Sequence, residues 1–180
     1  MQPRRGDWVQ LVSGKPFWPL DPRPEEIEIE DIGHSLAIQA RFMGHTRVHY
    51  AIASHCLFVS SLVPPQDALW GLLHDASEAY LVDLPRPLKQ LPEFSQYRAI
   101  EANLMRVVCE KFGLDPMQPE SVTQADVVAL MTEGRDLLVP PTIPWSVSAK
   151  PSERCIVPVP PEQAERDFMA AFRHLYKRSV

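Results

Sequence analysis

"GLLHDASEAYLVDLPRPLK", residues 71–89, opens as a helix and then departs from one. Leu72, Leu73, Ala76 and Tyr80 recur at helical spacing and mark a buried face. The same segment carries His74, Asp75 and Glu78, and a further acid, Asp83, stands just ahead of Pro85 and Pro87. At about 100° per residue, His74, Asp75 and Glu78 share one sector, opposite Leu69, Leu73, Ala76 and Tyr80. Gly71 falls in the polar sector one turn before Asp75, where a missing side chain leaves room for something close. An amphipathic surface helix would show the same pattern, so the neighbouring segments must decide.

Working outward, the pattern is helical on both sides. Gln66–Leu81 reads as one helix, stopped by the prolines at 85 and 87. Before it, a helix is expected over Ile29–Phe42, closed by Gly44, and another over Tyr50–Leu62, closed by Pro64 and Pro65. After it, Phe94–Phe112 places Ile100, Leu104, Val107 and Val108 on one face, and Ser121–Leu138 and Glu162–Lys177 repeat that spacing. The proline-rich stretch Val139–Pro161 reads as a loop packed on the surface. The first thirty residues read as an irregular or hairpin-like lead, because "WVQLVSGKPFWPL" sets a Ser-Gly-Lys turn between two extended apolar runs. The expectation is an all-α chain forming a single compact helical bundle over residues 1–180.

Bulk properties narrow the class. With 180 residues, 45% hydrophobic and 23% charged, the chain can bury a useful core. No apolar run approaches the ~20 residues that span a bilayer, and "MQPRRGDW" lacks the apolar stretch of a secretory signal. A cytoplasmic location without membrane partners is therefore expected. Cys56, Cys109 and Cys155 show neither CxxC pairing nor metal-ligand spacing, as in a reducing compartment. A net charge of −5 disfavours long nucleic acid as a partner but leaves small anionic substrates open.

Two further helices bear on the polar sector. His55 shares a face with Ile52, Phe58, Val59 and Leu62 and so points inward, where a satisfied core histidine is the bland reading. Asp126 sits in the stripe of Val122, Ala129, Leu130 and Leu137, with Glu133 beside it. A buried, unpaired carboxylate costs several kcal/mol, so it needs a cation or strong donors, and an arginine would suffice. One arrangement satisfies all of these residues together: three helices meeting at a divalent cation held by His55, His74, Asp75 and Asp126. Two imidazole nitrogens and two carboxylate oxygens suit a borderline transition metal better than calcium.

These residues resemble the HD-domain metal-dependent phosphohydrolases, whose pattern is an early His, an adjacent His-Asp pair and a later Asp. "HDASEAYLVDLPRPLK" is similar to the bacterial 5′-deoxynucleotidase branch, with HD, a Glu three residues past the Asp, then D-L-P-x-P-x-K. The resemblance covers roughly residues 32–135. It implies one divalent metal ion (Co, Mn, Zn or Mg), a homo-oligomer, and hydrolysis of deoxynucleoside monophosphates to deoxynucleosides and phosphate. Deoxynucleoside triphosphate triphosphohydrolases share the site and remain the alternative. A cyclic-nucleotide phosphodiesterase fits the stretch after "HD" less well, and a non-catalytic binding domain would be expected to lack a ligand or an acid.

The branch also places an Arg and an aromatic residue ahead of the first metal His. "ARF" supplies Arg41 and Phe42, with Phe where Trp is common. The resemblance thus implies catalytic work by Glu78 and Asp83, undivided between them, and substrate contacts from Arg41, Phe42 and Lys89. Ordinary surface roles for either cation, and core packing for Phe42, are the competing readings. His34, His45 and His49 lie nearby and receive no role.

Overall fold

Val9–Gln10 (β1) and Pro16–Phe17 (β2) pair antiparallel, Val9 opposite Phe17, around the expected turn at Ser13–Lys15. A computed structural model of the chain describes residues 4–179, and this hairpin is the only sheet among them. It is tied down rather than free. Phe17 is fully buried, its ring 4.3 Å from that of Tyr80, and the buried carboxylate of Asp31 accepts the Ser13 backbone N–H and hydroxyl at 3.0 Å each.

The remainder is helical, as the apolar spacing leads one to expect. In order come α1 (Ile29–Ile38), α2 (Ile52–Leu62), α3 (Ala68–Leu73), α4 (Glu78–Leu81), α5 (Arg86–Lys89), α6 (Ser95–Phe112), α7 (Glu120–Leu137) and α8 (Pro161–Ser179). Helix α2 is central, packed by α1, α3, α7 and α8. Ile32, Leu36, Ile52, Cys56, Leu72, Leu73, Leu104 and Phe168 form the main core. A second cluster of Phe58, Val59, Trp70, Val122 and Ala129 joins α2 to α7. Helix α6 ends at Gly113 in the left-handed conformation (φ +68°), whose N–H caps the Cys109 carbonyl. The three cysteines are free thiols. No helix among the described residues is long and apolar enough to cross a membrane.

Two expectations are corrected. Helix α1 does not reach Phe42: it stops at Ile38, and Ala40 pairs with Ala51 in an antiparallel bridge. Ile52 and Arg41 N–H groups donate to the Gln39 and Tyr50 carbonyls at 3.1 and 2.9 Å, so cross-chain bonds replace the helical ones and also delay α2 to Ile52. Residues Arg41–Gly44 then form a tight turn in which Phe42 and Met43 both have φ +53°. Two consecutive non-glycine residues in that region cost roughly 1–3 kcal/mol each.

Second, Gln66–Leu81 is not one helix. Between α3 and α4 the chain tightens to i→i+3 bonds, with the N–H groups of Ala76, Glu78 and Tyr80 donating to Leu73, Asp75 and Ser77. Pro85 and Pro87 do not simply end structure either; they open α5, in whose first turn a missing N–H costs nothing. The room expected at Gly71 is taken up by α2. A Cβ there would lie 3.1 Å from the Ser60 Cα, so the glycine lets α3 lie directly on α2.

Candidate metal centre

The turn between α3 and α4 presents His74 and Asp75 toward His55 of α2 and Asp126 of α7. His55 Nε2 lies 3.2 Å from His74 Nε2, 3.6 Å from Asp75 Oδ2 and 3.1 Å from Asp126 Oδ1. His74 Nε2 lies 3.3 Å from Asp75 Oδ2. Two ligands at about 2.1 Å from one metal are about 3.0 Å apart at a right angle and about 3.4 Å apart at a tetrahedral angle. The spacing therefore fits a shared cation, and the His55, His74 and Asp75 group can hold a metal ion. Asp126 abuts the same nitrogen of His55 but lies outside that tightest group.

The atoms behind the cluster fix its donors. His74 Nδ1 lies 2.8 Å from the Gly71 carbonyl, which can only accept, so Nδ1 carries the proton and Nε2 faces the cluster. His55 Nδ1 lies 2.7 Å from Glu133 Oε1, both side chains fully buried. The other Glu133 oxygen accepts from Arg41 at 3.2 Å, and a second Arg41 nitrogen stands 4.0 Å from Asp75. Arg41 Nε is buried with no hydrogen-bond partner. Exposure rises from zero at His55 and Glu133 through 18% at Asp75 to 44% at Asp126, so the cluster opens to solvent between those last two. Asp126 is thus at the rim of its apolar stripe and not sunk within it.

Charge in the cluster is out of balance. Burial and the Arg41 charge both disfavour a charged His55, yet Glu133 and Asp126 outweigh them and push its pKa up to about 10. Burial opposes ionisation of Asp126 too, but the hydrogen bond from His55 and the charges of His55, His74 and Arg41 hold it well below the usual carboxylate range. These carboxylates call for positive charge at His55 Nε2, as a proton or as a cation. Glu78 has the opposite problem. Burial first, then the charges of Asp75 and Asp83, push its carboxyl well above the usual range against the pull of Arg41 and Lys89. Its Oε2 is buried without a partner.

The remaining expected residues are nearby but differently engaged. Asp83 is half-buried and follows Val82, whose φ of +70° turns the chain back toward Glu78. Lys89 Nζ bonds Glu101 at 2.7 Å and stands 4.0 Å from Glu78, so it is held beside the acid instead of reaching freely into the cluster. Phe42 lies under the Arg41 guanidinium, 5.3 Å from ring centroid to Cζ. His34 is elsewhere, paired with Glu165 at 3.2 Å.

Sequence reasoning placed Glu133 beside Asp126 but gave it no task, although two helical turns separate the two and align them. It missed the Gly71 carbonyl, which no side-chain pattern can reveal. It also missed Trp145, whose ring faces Phe42.

No family model matches the chain. It is 36% identical over 171 residues to the uncharacterized protein YfdR of Escherichia coli (strain K12), covering 93% of this chain and 95% of that protein. It is 35% identical over 143 residues to the uncharacterized protein RCAP_rcc00048 of Rhodobacter capsulatus, covering 72% of each.

Proposed function

Since the chain belongs to the family of Escherichia coli YfdR, whose function that name leaves open, we propose from the cluster itself that it is a metal-dependent nucleotide phosphohydrolase of the HD-domain type. The favoured substrate is a deoxynucleoside 5′-monophosphate, cleaved to deoxynucleoside and phosphate. One observation carries the reading: His55, His74 and Asp75 converge at cation-sharing distances, with Asp126 against the same nitrogen of His55 and an arginine alongside whose buried Nε has no partner.

The residues would divide the work as follows. His55, His74, Asp75 and Asp126 hold a divalent ion, of which Co, Mn, Zn and Mg are the candidates. Such an ion, when bound, supplies positive charge to phosphoryl oxygens, acidifies water and offsets the crowding of carboxylates. Arg41 stays charged throughout and offers Nε to a phosphoryl oxygen, while Glu133 fixes its orientation. Glu78, with its unpartnered Oε2, accepts the proton of the attacking water. Asp83, whose charge acts on Glu78, would relay that proton or assist the leaving alcohol. Lys89 limits the negative charge around Glu78.

The test is a panel of nucleoside mono- and triphosphates assayed with each of the four metals after removal of bound metal by chelator, with phosphate and triphosphate detected separately. The expected result is phosphate from deoxynucleoside monophosphates, lost with chelator and lost in Asp75→Ala together with metal content. Triphosphate release would reassign the substrate to deoxynucleoside triphosphates. Full activity in metal-free Asp75→Ala would remove the reading.

A further inference from the structure

Trp145 lies outside the metal cluster but is built against it. Gly134, the residue after Glu133 on α7, has no side chain where a Cβ would stand 2.8 Å from the indole. Glycine is a poor residue inside a helix, and here the vacated space is filled by the Trp145 ring. The ring of Phe42 faces the indole nearly parallel, at 21° with 6.3 Å between centroids. Phe42 is itself held by two consecutive left-handed residues and covered by Arg41. Moving outward, the order is therefore Asp75, Arg41, Phe42, Trp145: charges suited to a phosphoryl group, then two flat apolar faces.

The Trp145 end remains accessible, with 37% of its surface exposed. The segment bearing it is pinned on α7 at several points. Arg135 donates to the Ser152 and Arg154 carbonyls at 2.7 and 3.0 Å, Asp136 accepts the Ile156 N–H at 2.9 Å, and the buried Thr132 hydroxyl accepts the Ser152 N–H at 2.9 Å. A flat ring packed between two others needs about 7 Å between the outer pair, at roughly 3.5 Å per contact. The Phe42 and Trp145 centroids, 6.3 Å apart, fall short of that, so the half-exposed indole must move outward to admit a base.

We propose that Trp145, together with Phe42, seats the nucleobase of the substrate by stacking. The inference rests on the phosphohydrolase reading above and extends it to the leaving group: an alcohol that carries a flat aromatic base. Recognition through ring faces tolerates different bases, because each has a π-face. Trp145 is then the specificity-determining residue for base-bearing esters over sugar phosphates.

The experiment measures binding to the full chain, loaded with the metal that supports activity best, or with Mn if none does. The ligands are a non-hydrolysable deoxynucleoside 5′-phosphonate and its base-free 2-deoxyribose counterpart. In Trp145→Ala, affinity for the nucleoside phosphonate should fall about 5- to 100-fold and the preference over the base-free ligand should collapse, while Trp145→Phe retains most of both. Gly134→Ala, which keeps the indole but displaces it, should lower the same preference. Thermal unfolding of each variant confirms that folded protein is compared. Unchanged preference in Trp145→Ala, or equal loss for both ligands, overturns the inference while the phosphohydrolase reading stands. Wild-type protein that binds only the base-free ligand has the same meaning. Binding of neither ligand to wild-type protein removes both.

Discussion

At the scale of single residues, the cluster is ordered by what each donor's other atoms do. His74 is set by a backbone carbonyl and His55 by Glu133, so both imidazoles present Nε2 to the same point. Glu78 differs in kind, because nothing holds its Oε2, and burial together with the charges of Asp75 and Asp83 outweighs the pull of Arg41 and Lys89. A residue kept in that state is either a defect or a working acid–base group. The two can be separated. Glu78→Gln keeps the shape and removes the proton-accepting charge, so it should lower kcat about 10²–10⁴-fold with metal content unchanged and thermal stability equal or higher. Metal analysis, steady-state kinetics and unfolding on one preparation check this. Wild-type turnover in Glu78→Gln would make the carboxyl a bystander.

At the scale of elements, two short irregular pieces matter more than any long helix. The i→i+3 winding between α3 and α4 brings His74 and Asp75 to the cluster side by side. The clip at Ala40 and Ala51 stops α1 and turns Arg41 inward. A third element, the proline-rich segment after α7, is held by the Arg135–Asp136 pair and by Thr132. Asp136 is held below the usual carboxylate range chiefly by the Arg135 hydrogen bond, helped by the Ile156 N–H. A carboxyl with a lowered folded-state pKa stabilises the fold above its unfolded pKa of about 3.9, and that contribution is lost as pH falls through the folded value. Asp136→Asn should therefore melt a few degrees below wild type at pH 7 and become indistinguishable from it in strong acid. Thermal unfolding across pH, with limited proteolysis of residues 139–160, reads both the stability and the loosening of the segment. A gap that persists at low pH would assign the anchoring to shape and not to charge.

At the scale of the whole molecule, the candidate ligands come from α2, the α3–α4 turn and α7, so a bound cation would cross-link pieces far apart in the chain. Ligand that binds only the folded state adds about 2.7 kcal/mol at a hundred times its Kd. For a protein of this size that is worth about 5–10 °C in melting temperature. Adding the preferred metal to chelator-treated protein should give a rise of that order, absent in Asp75→Ala. A melting temperature indifferent to every divalent metal would show that the cluster is satisfied by protons alone.

The helical class, the order of the main helices and the N-terminal hairpin were legible because apolar period and turn chemistry are local, and local spacing survives folding unchanged. His55 was legible for the same reason, since a polar group within an apolar stripe demands a partner wherever it lies, whereas Asp126 meets that partner from the rim of its stripe. What local spacing could not supply was competition between bonds. Ile38 to Phe42 carries a helical apolar pattern, yet the amides at 41 and 52 find carbonyls across the clip, and the helix ends early. Gly71 reads as open space on an isolated helix and is filled by the backbone of α2 once the two are packed. Glu133 shows its task only when α7 lies against α2, and Trp145 shows a neighbour only when the segment after α7 folds back over Gly134. Sequence alone determined which residues need partners, and tertiary structure decided which partners they obtain, because burial penalties belong to single residues while hydrogen bonds and ring contacts belong to pairs that only packing brings together.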